Sequence, residues 1–462
     1  MKATLNEYFS RKIDENKFLI TTRCGTFILL NENEYRALNN GQYKNNEKLQ
    51  RQLIESKILM TEKNTKDIIN RLKMQYIQDK SFIFMNCIIN LTHRCNLNCL
   101  YCHANSANLE DKQMDMDYAT IDAYIDFVLN LPYKNITIEF QGGEPLLCFD
   151  KIKYILKEFN KKKKKYNKNL ISSTIVTNLT LMREYIANYI IENKISLSSS
   201  LDGPKELHNS QRAYINGSGS YDKIIYWYNY FFERNKIVGI MPTITSNSIK
   251  LGPKPIIDQY VKLKRNAIFL RAMNELGRGK KNKYLSPQKK EFTEFLKEAF
   301  DYCVYLFDKK NFLIVERNIF SLLRNITLPV KQYMCMRRPC GAGVNQISIT
   351  PNGDIYPCDT ARSIQSLKIG NIKTTNFREI IINTIELRTL TQEFQPLCDT
   401  CAYNCFCGNC PVVTYAKYNC FIEKTPLDFN CYVNKYILDY IFKKRDDKKY
   451  KKYFKAILKL EI

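Results

Sequence analysis

The sequence predicts an α/β fold built on a parallel sheet that closes, wholly or in part, into a barrel. Between Phe82 and Phe307, short apolar runs alternate with helical periodicity six times in series. Strand–helix–strand units in series pair in parallel through right-handed crossovers. Three cysteines, Cys95, Cys99 and Cys102, stand directly past the first of those runs, at the strand end where such folds collect their chemistry. Three thiolates on one short loop can hold three irons of a [4Fe–4S] cluster and leave the fourth open to a substrate-like molecule.

At 462 residues the chain exceeds one ordinary core, so two or three domains are expected. No apolar run is long enough to span a bilayer, and Met1-Lys2-Ala3-Thr4-Leu5-Asn6-Glu7 lacks the apolar core of a signal peptide. A cytoplasmic location without membrane association is therefore expected, where thiols stay reduced. Seventeen cysteines there, an odd number clustered late in the chain, point to metal rather than to a disulfide framework. The net charge of +25 suits an acidic peptide or a nucleic acid. Nucleic acid is the weaker reading. No aromatic-basic RNA motif accompanies the charge, and its densest block, Lys161 to Lys165, falls late in an expected helix as a solvated face.

Residues 1–62 read as a small α+β module. Phe18–Thr21 and Thr26–Leu30 are expected strands around Arg23-Cys24-Gly25, followed by two short helices, a winged-helix-like set that could add an extended peptide to a sheet edge. Residues 63–80 form a polar linker helix. The barrel then occupies 81–310. Its strands are expected at Phe82–Leu91, Ile136–Phe140, Ile171–Thr177, Ile195–Leu201, Ile237–Thr245 and Ala267–Met273. The second strand runs into Gln141-Gly142-Gly143-Glu144-Pro145, where two glycines permit close backbone approach and Glu144 could take an ammonium group. The third ends on Asn178, a polar tip. The fourth alternates Ile195, Leu197 and Leu201 against Ser196, Ser198, Ser200 and Asp202, a hydroxyl row suited to a ribose. The sixth leads into Arg271 and Gly277-Arg278-Gly279.

A bridging segment, 311–334, separates the barrel from a second cysteine field at 335–435, and 436–462 forms a basic C-terminal helix. Cys340 is followed by a strand, an Asn352-Gly353 turn and a strand ending at Cys358, which reads as a hairpin. Further on stand Cys398, Cys401, Cys405, Cys407, Cys410, Cys420 and Cys431. Two Cys-x-x-Cys pairs alone could form a zinc ribbon, but that would leave Cys335, Cys340, Cys358 and Cys431 idle. Leftover cysteines, namely Cys24, Cys87, Cys148, Cys303, Cys405 and Cys420, are expected to be small buried hydrophobes.

The spacing Cys95-x3-Cys99-x2-Cys102, followed by Gly142-Gly143-Glu144-Pro145, resembles the radical S-adenosylmethionine (radical SAM) superfamily over about residues 82–310. The resemblance implies a partial, TIM-like (β/α)6 barrel and a [4Fe–4S] cluster on Cys95, Cys99 and Cys102. The open iron of that cluster would chelate SAM. Gly142, Gly143 and Glu144 would contact the methionyl amine, with Asn178, Ser200 and Asp202 on the ribose and carboxylate. One electron into SAM then releases a 5′-deoxyadenosyl radical that abstracts a substrate hydrogen.

The second cysteine field resembles the SPASM extension, which holds two auxiliary [4Fe–4S] clusters, for three in all. The resemblance assigns Cys335, Cys340, Cys358 and Cys410 to the first auxiliary cluster and Cys398, Cys401, Cys407 and Cys431 to the second. It also assigns Asp359, next to Cys358, as an acid/base, by likeness to sulfatase maturases. The runs Ile138–Leu147 and Arg338–Gly343 resemble the His-Xaa-Ser-system maturases. The function implied is post-translational modification of a ribosomal precursor peptide (a cross-link, epimerisation or oxidation), with an acidic leader, a flavodoxin or ferredoxin donor and a second radical SAM maturase as partners. Alternatives are a sulfatase-maturase-like protein oxidase, a small-molecule SPASM enzyme, or a non-catalytic iron–sulfur carrier or zinc scaffold.

Overall fold

The computed structural model describes residues 3–80, 84–329, 333–337, 339–388, 397–408, 410–422 and 428–460. Phe82, at the start of the first expected strand, and Arg338 lie outside the described residues. Five strands lie side by side and parallel: Phe84–Asn90, Asn135–Gln141, Asn169–Val176, Ser196–Ser200 and Val238–Met241. The first is an almost continuous apolar run and is buried along most of its length, as a strand covered on both faces must be. The second alternates, burying Ile136, Ile138 and Phe140 and turning Thr137, Glu139 and Gln141 to the opposite face. The crossover helices bury one stripe each. Phe149–Lys162 buries Phe149, Ile152, Ile155, Leu156 and Phe159 at three- and four-residue steps, and its lysines trail off the end.

The expected fifth and sixth strands are each broken. Pro242 has no N–H to give the ladder, so Val238–Met241 is separated from Thr243–Ile244. Ala267–Ile268 and Arg271–Ala272 are split where the Leu270 N–H donates to the Glu316 side chain at 3.2 Å. Thr243–Ile244 pairs in parallel with Arg271–Ala272, and Ala267–Ile268 with a further strand, Val315–Glu316, which sequence reading had assigned to the bridging segment. The result is an α/β fold around a mostly parallel, partly closed sheet.

The hairpin before Cys358 is present. Gln346–Ile349 turns through Asn352-Gly353, with Gly353 at φ +86°, into Asp354–Tyr356. Its first strand also pairs in parallel with Phe84–Asn90, in register Gln346 with Asn86. The cysteine-rich half and the barrel therefore share one eight-stranded sheet. The chain ends in two helices, Phe429–Lys444 and Lys448–Ile457; Asp447 caps the second by accepting from the Lys449 N–H.

In the N-terminal module the two expected strands, Lys17–Thr22 and Phe27–Leu30, gain a third, Tyr8–Asp14, in an antiparallel sheet. The helices Glu32–Asn39 and Glu47–Glu55 follow. The module docks on the C-terminal half. Arg11 forms a two-pronged ion pair with Asp439, the Thr21 hydroxyl donates to the Ala402 carbonyl at 2.8 Å, and the Phe27 ring meets the edges of Phe442 and Phe406. Among the described residues no helix is long and apolar enough to cross a membrane.

Candidate functional site

The loop after the first barrel strand is pinned through its backbone. Cys95 N–H donates to the Ala107 carbonyl, Asn98 to Ala213 and Leu100 to Gln211, at 3.2, 2.8 and 3.0 Å. This folding brings Cys95, Cys99 and Cys102 into one patch with Leu97 and Tyr214. Burial pushes the Cys95 thiol up to about 12 and the Cys99 thiol up to about 11, so neither ionises without a cation to bind. Three soft sulfurs on one backbone-pinned loop, Cys95 and Cys99 buried and Cys102 half-buried, fit an iron–sulfur cluster. Among the described residues no three Cys, His, Asp or Glu side chains close to single-ion distances. A four-iron cluster takes its ligands around a wider perimeter.

The Gly-Gly-Glu-Pro turn leans on this loop. Gly143 N–H donates to the Thr92 carbonyl and Glu144 N–H to the Arg94 carbonyl, both at 2.8 Å. A Cβ on Gly143 would stand 2.1 Å from the Arg94 oxygen, and one on Gly142 2.3 Å from the Thr92 oxygen. The glycines are thus required by the approach of two backbones, one of which leads straight into Cys95. Gly143→Ala is expected to cost at least about 3 kcal/mol in a urea unfolding titration, and to abolish SAM cleavage by moving the loop.

Glu144 is fully buried. Its carboxylate accepts from the Leu146 N–H (3.0 Å), the Thr177 hydroxyl (2.7 Å) and the Asn178 N–H (2.8 Å). Burial outweighs these donors and pushes the carboxyl up to about 7. A buried carboxylate with only neutral donors as direct partners suits a cationic amine. The Asn178 amide donates to Asn96 at 3.0 Å and lies 3.8 Å from the Cys95 sulfur, so it belongs to the same patch. Ser200 is half-buried at the end of its strand, opposite Met241. Asp202 is fully buried just past the end of the same strand. Its oxygens accept from the Tyr101 hydroxyl (2.6 Å), the Gln211 amide (3.0 Å) and the Thr243 N–H (3.1 Å). Arg212 donates to the same Tyr101 hydroxyl at 3.0 Å. Asp202 therefore anchors the aromatic residue that precedes Cys102.

Cys340, Cys358 and Cys410 meet in a second apolar cluster, and Cys335 acts electrostatically on all three. Burial pushes Cys340 up to about 12 and Cys410 up to about 11. The Cys398 carbonyl accepts from Cys401 N–H at 3.1 Å. The Cys407 sulfur accepts from the Asn434 amide at 3.4 Å, one turn beyond Cys431 on the same helix. Cys24, Cys87, Cys148 and Cys303 are buried hydrophobes as expected, whereas Cys405 is half-buried and Cys420 is exposed on the turn after helix Pro411–Tyr418.

Asp359 joins the two cysteine fields. One oxygen lies 3.0 Å from Nε2 of His103, the residue after Cys102, and the other accepts from Arg362 at 2.7 Å. Burial would raise the carboxyl, but Arg362 and His103 hold it well below the usual carboxylate range. Ser363 donates to the His103 carbonyl at 2.6 Å and Arg362 to the Gly142 carbonyl at 3.3 Å. Sequence reasoning missed His103 and Arg362. Position +1 to Cys102 was the only available signal.

The radical SAM superfamily model matches residues 89–250, and the model for SPASM, an iron–sulfur cluster-binding domain, matches residues 340–411. An uncharacterised protein of Methanocaldococcus jannaschii is 31% identical over 292 residues, 63% of this chain and 89% of its own length. The chain belongs to the radical SAM superfamily. This radical SAM/SPASM enzyme is also 29% identical over 363 residues to a cysteine-type anaerobic sulfatase-maturating enzyme of Clostridium perfringens, covering 75% of this chain and 93% of that one. The structure of anSMEcpe with bound AdoMet has a TM-score of 0.69 at 23% identity, over 82% of this chain and all of that one. Streptococcus suis SuiB bound to its precursor peptide SuiA has a TM-score of 0.52 at 17% identity, over 94% and 100%. Both likenesses are of fold.

Proposed function

We propose that this radical SAM enzyme modifies a carbon of a ribosomally made peptide, held between the Cys95–Cys102 loop and the Cys358–Asp359 turn. The single observation that carries the reading is the His103–Asp359 contact, which brings the residue after Cys102 against the residue after Cys358. Cys95, Cys99 and Cys102 would hold the SAM cluster. Cys335, Cys340, Cys358 and Cys410 would hold a first auxiliary cluster, and Cys398, Cys401, Cys407 and Cys431 a second. Gly142, Gly143, Glu144, Asn178, Ser200 and Asp202 would hold SAM, Asp202 while also bracing Tyr101. SAM on its reduced cluster supplies hydrogen-atom abstraction, and the chain's own work is to position the peptide and exclude water. Asp359 is ionised and paired on both oxygens; to take a substrate proton it must release Arg362 or His103.

The three-stranded sheet of residues 1–62 would bind the peptide leader at an edge, with the chain's positive charge favouring an acidic leader. A flavodoxin or ferredoxin would supply electrons in the cytoplasm, and a second maturase of the same superfamily would act on the same peptide. Similarity to the sulfatase-maturating enzyme of C. perfringens supports a second reading, oxidation of a sulfatase residue.

The full chain, reconstituted anaerobically with iron, sulfide and SAM, can be offered short peptides encoded beside its gene, and separately a sulfatase-derived Cys or Ser peptide. Mass spectrometry in deuterated buffer is expected to show loss of two hydrogens, or deuterium uptake, in a neighbouring peptide alone. Modification of the sulfatase peptide alone would replace the first reading by the second.

A further inference from the structure

Arg271 opens the short strand Arg271–Ala272 and Arg317 opens the helix after Val315–Glu316, so two neighbouring chain segments each present a guanidinium. The two strand ends are tied together. Glu316 accepts from Leu270 N–H at 3.2 Å, and the Asn318 amide donates to the Leu270 carbonyl at 2.8 Å. Both guanidinium carbons pack against one ring, Phe269, at 5.5 and 5.4 Å from its centre. Phe269 in turn meets Tyr333 edge-on at 5.7 Å. Both arginines are half-buried, and among the described residues neither guanidinium has a hydrogen-bond or ion-pair partner.

Their surroundings set them near Asp359 and the first group of late cysteines. The charges acting on Arg271 belong to Tyr333, Cys335, Cys410 and Asp359, and both arginines act on Tyr333. Met273, two residues past Arg271, packs on Tyr101 beside Cys102. Two cations sharing one ring repel each other, and a ring quadrupole offsets only part of that cost. A planar carboxylate answers two guanidiniums with two oxygens.

Resting on the peptide reading above, we infer that Arg271 and Arg317, stacked on Phe269, form a carboxylate-binding subsite that fixes an acidic side chain or the C-terminus of the substrate peptide beside the first auxiliary cysteine set. The subsite selects which stretch of the peptide faces the Cys95–Cys102 loop. It does so by charge and geometry, without taking part in bond making.

The test uses the full reconstituted enzyme and three blocked amino acids in equilibrium dialysis. N-acetylglutamate methylamide carries a side-chain carboxylate, N-acetylglutamine carries only the α-carboxylate, and N-acetylglutamine methylamide carries neither. One of the two carboxylate probes is expected to bind about tenfold or more tightly than the neutral one, and which of them does so names the source. R271Q/R317Q is expected to erase that preference at unchanged iron content, and R271K/R317K to keep part of it. Where the double variant loses iron, R317Q alone, which lies outside the cysteine set, is expected to weaken the preference several-fold. Equal binding of all three probes by the unaltered enzyme overturns the subsite and leaves the arginines as counter-charges to the auxiliary cysteines. So does a preference that survives R271Q/R317Q. SAM cleavage by the unaltered enzyme, measured alongside, and conversion of an encoded peptide report on the enzyme and peptide readings separately.

Discussion

With the three clusters proposed above, replacing Cys95, Cys99 and Cys102 together by alanine is expected to abolish 5′-deoxyadenosine formation while leaving about eight of about twelve irons. The asymmetry follows from the packing. These thiols form a patch of their own with Leu97 and Tyr214, whereas Cys340, Cys358 and Cys410 lie in a separate apolar cluster. The loop is held by backbone hydrogen bonds to Ala107, Ala213 and Gln211, none of which uses a thiol. The truncated loop therefore keeps its course, and the downstream cysteines keep their surroundings. The reciprocal variant, Cys340, Cys358 and Cys410 to alanine, is expected to lose a similar share of iron yet still cleave SAM slowly. Iron and sulfide analysis with a chromatographic assay of 5′-deoxyadenosine reads both. A triple variant at Cys95, Cys99 and Cys102 that kept its full iron and its cleavage would remove the SAM cluster from this loop.

What could be read along the chain was whatever rests on short-range geometry. Cysteine spacing, a Gly-Gly pair and an Asn-Gly hairpin each constrain a few consecutive residues, and Cys95–Cys102, Gly142-Gly143 and Gly353 stand where those constraints put them. The parallel alternation was legible for the same reason, since each βα unit is patterned locally. What escaped depends on distant residues converging. His103 meets Asp359 across 256 positions, and Gln346–Ile349 extends the barrel by pairing with Phe84–Asn90. Alternation along its strand singled out Asp202, but it cannot reveal that the Tyr101 hydroxyl donates to that carboxylate. Arg271 was noticed only as a cation at a strand end; the ring it shares with Arg317 exists only in the fold.

Glu144→Gln is expected to weaken SAM binding by about a hundredfold at pH 8 and to flatten its dependence on pH. The Glu144 carboxyl titrates near 7 in the folded chain without ligand, against an ordinary value of 4.5. Between those values the folded protein holds a proton that the unfolded chain has lost. Stability of the SAM-free protein should therefore fall as pH rises from about 4.5 to about 7, and then level off. A cationic amine docking on this carboxylate needs it ionised, so binding expels the proton below pH 7. SAM affinity should then rise about fivefold from pH 6 to pH 7, reach about tenfold by pH 8 and plateau above. Glutamine keeps the shape but cannot ionise, and its NH2 must face either the Asn178 N–H or the Leu146 and Thr177 donors, a donor against a donor. SAM titrations at pH 6, 7 and 8 on both proteins separate two roles for Glu144. A sloped native curve with a flat, weakened variant assigns the amine to this carboxylate. Two parallel curves would instead make Glu144 a cap that only braces the turn against Asn178.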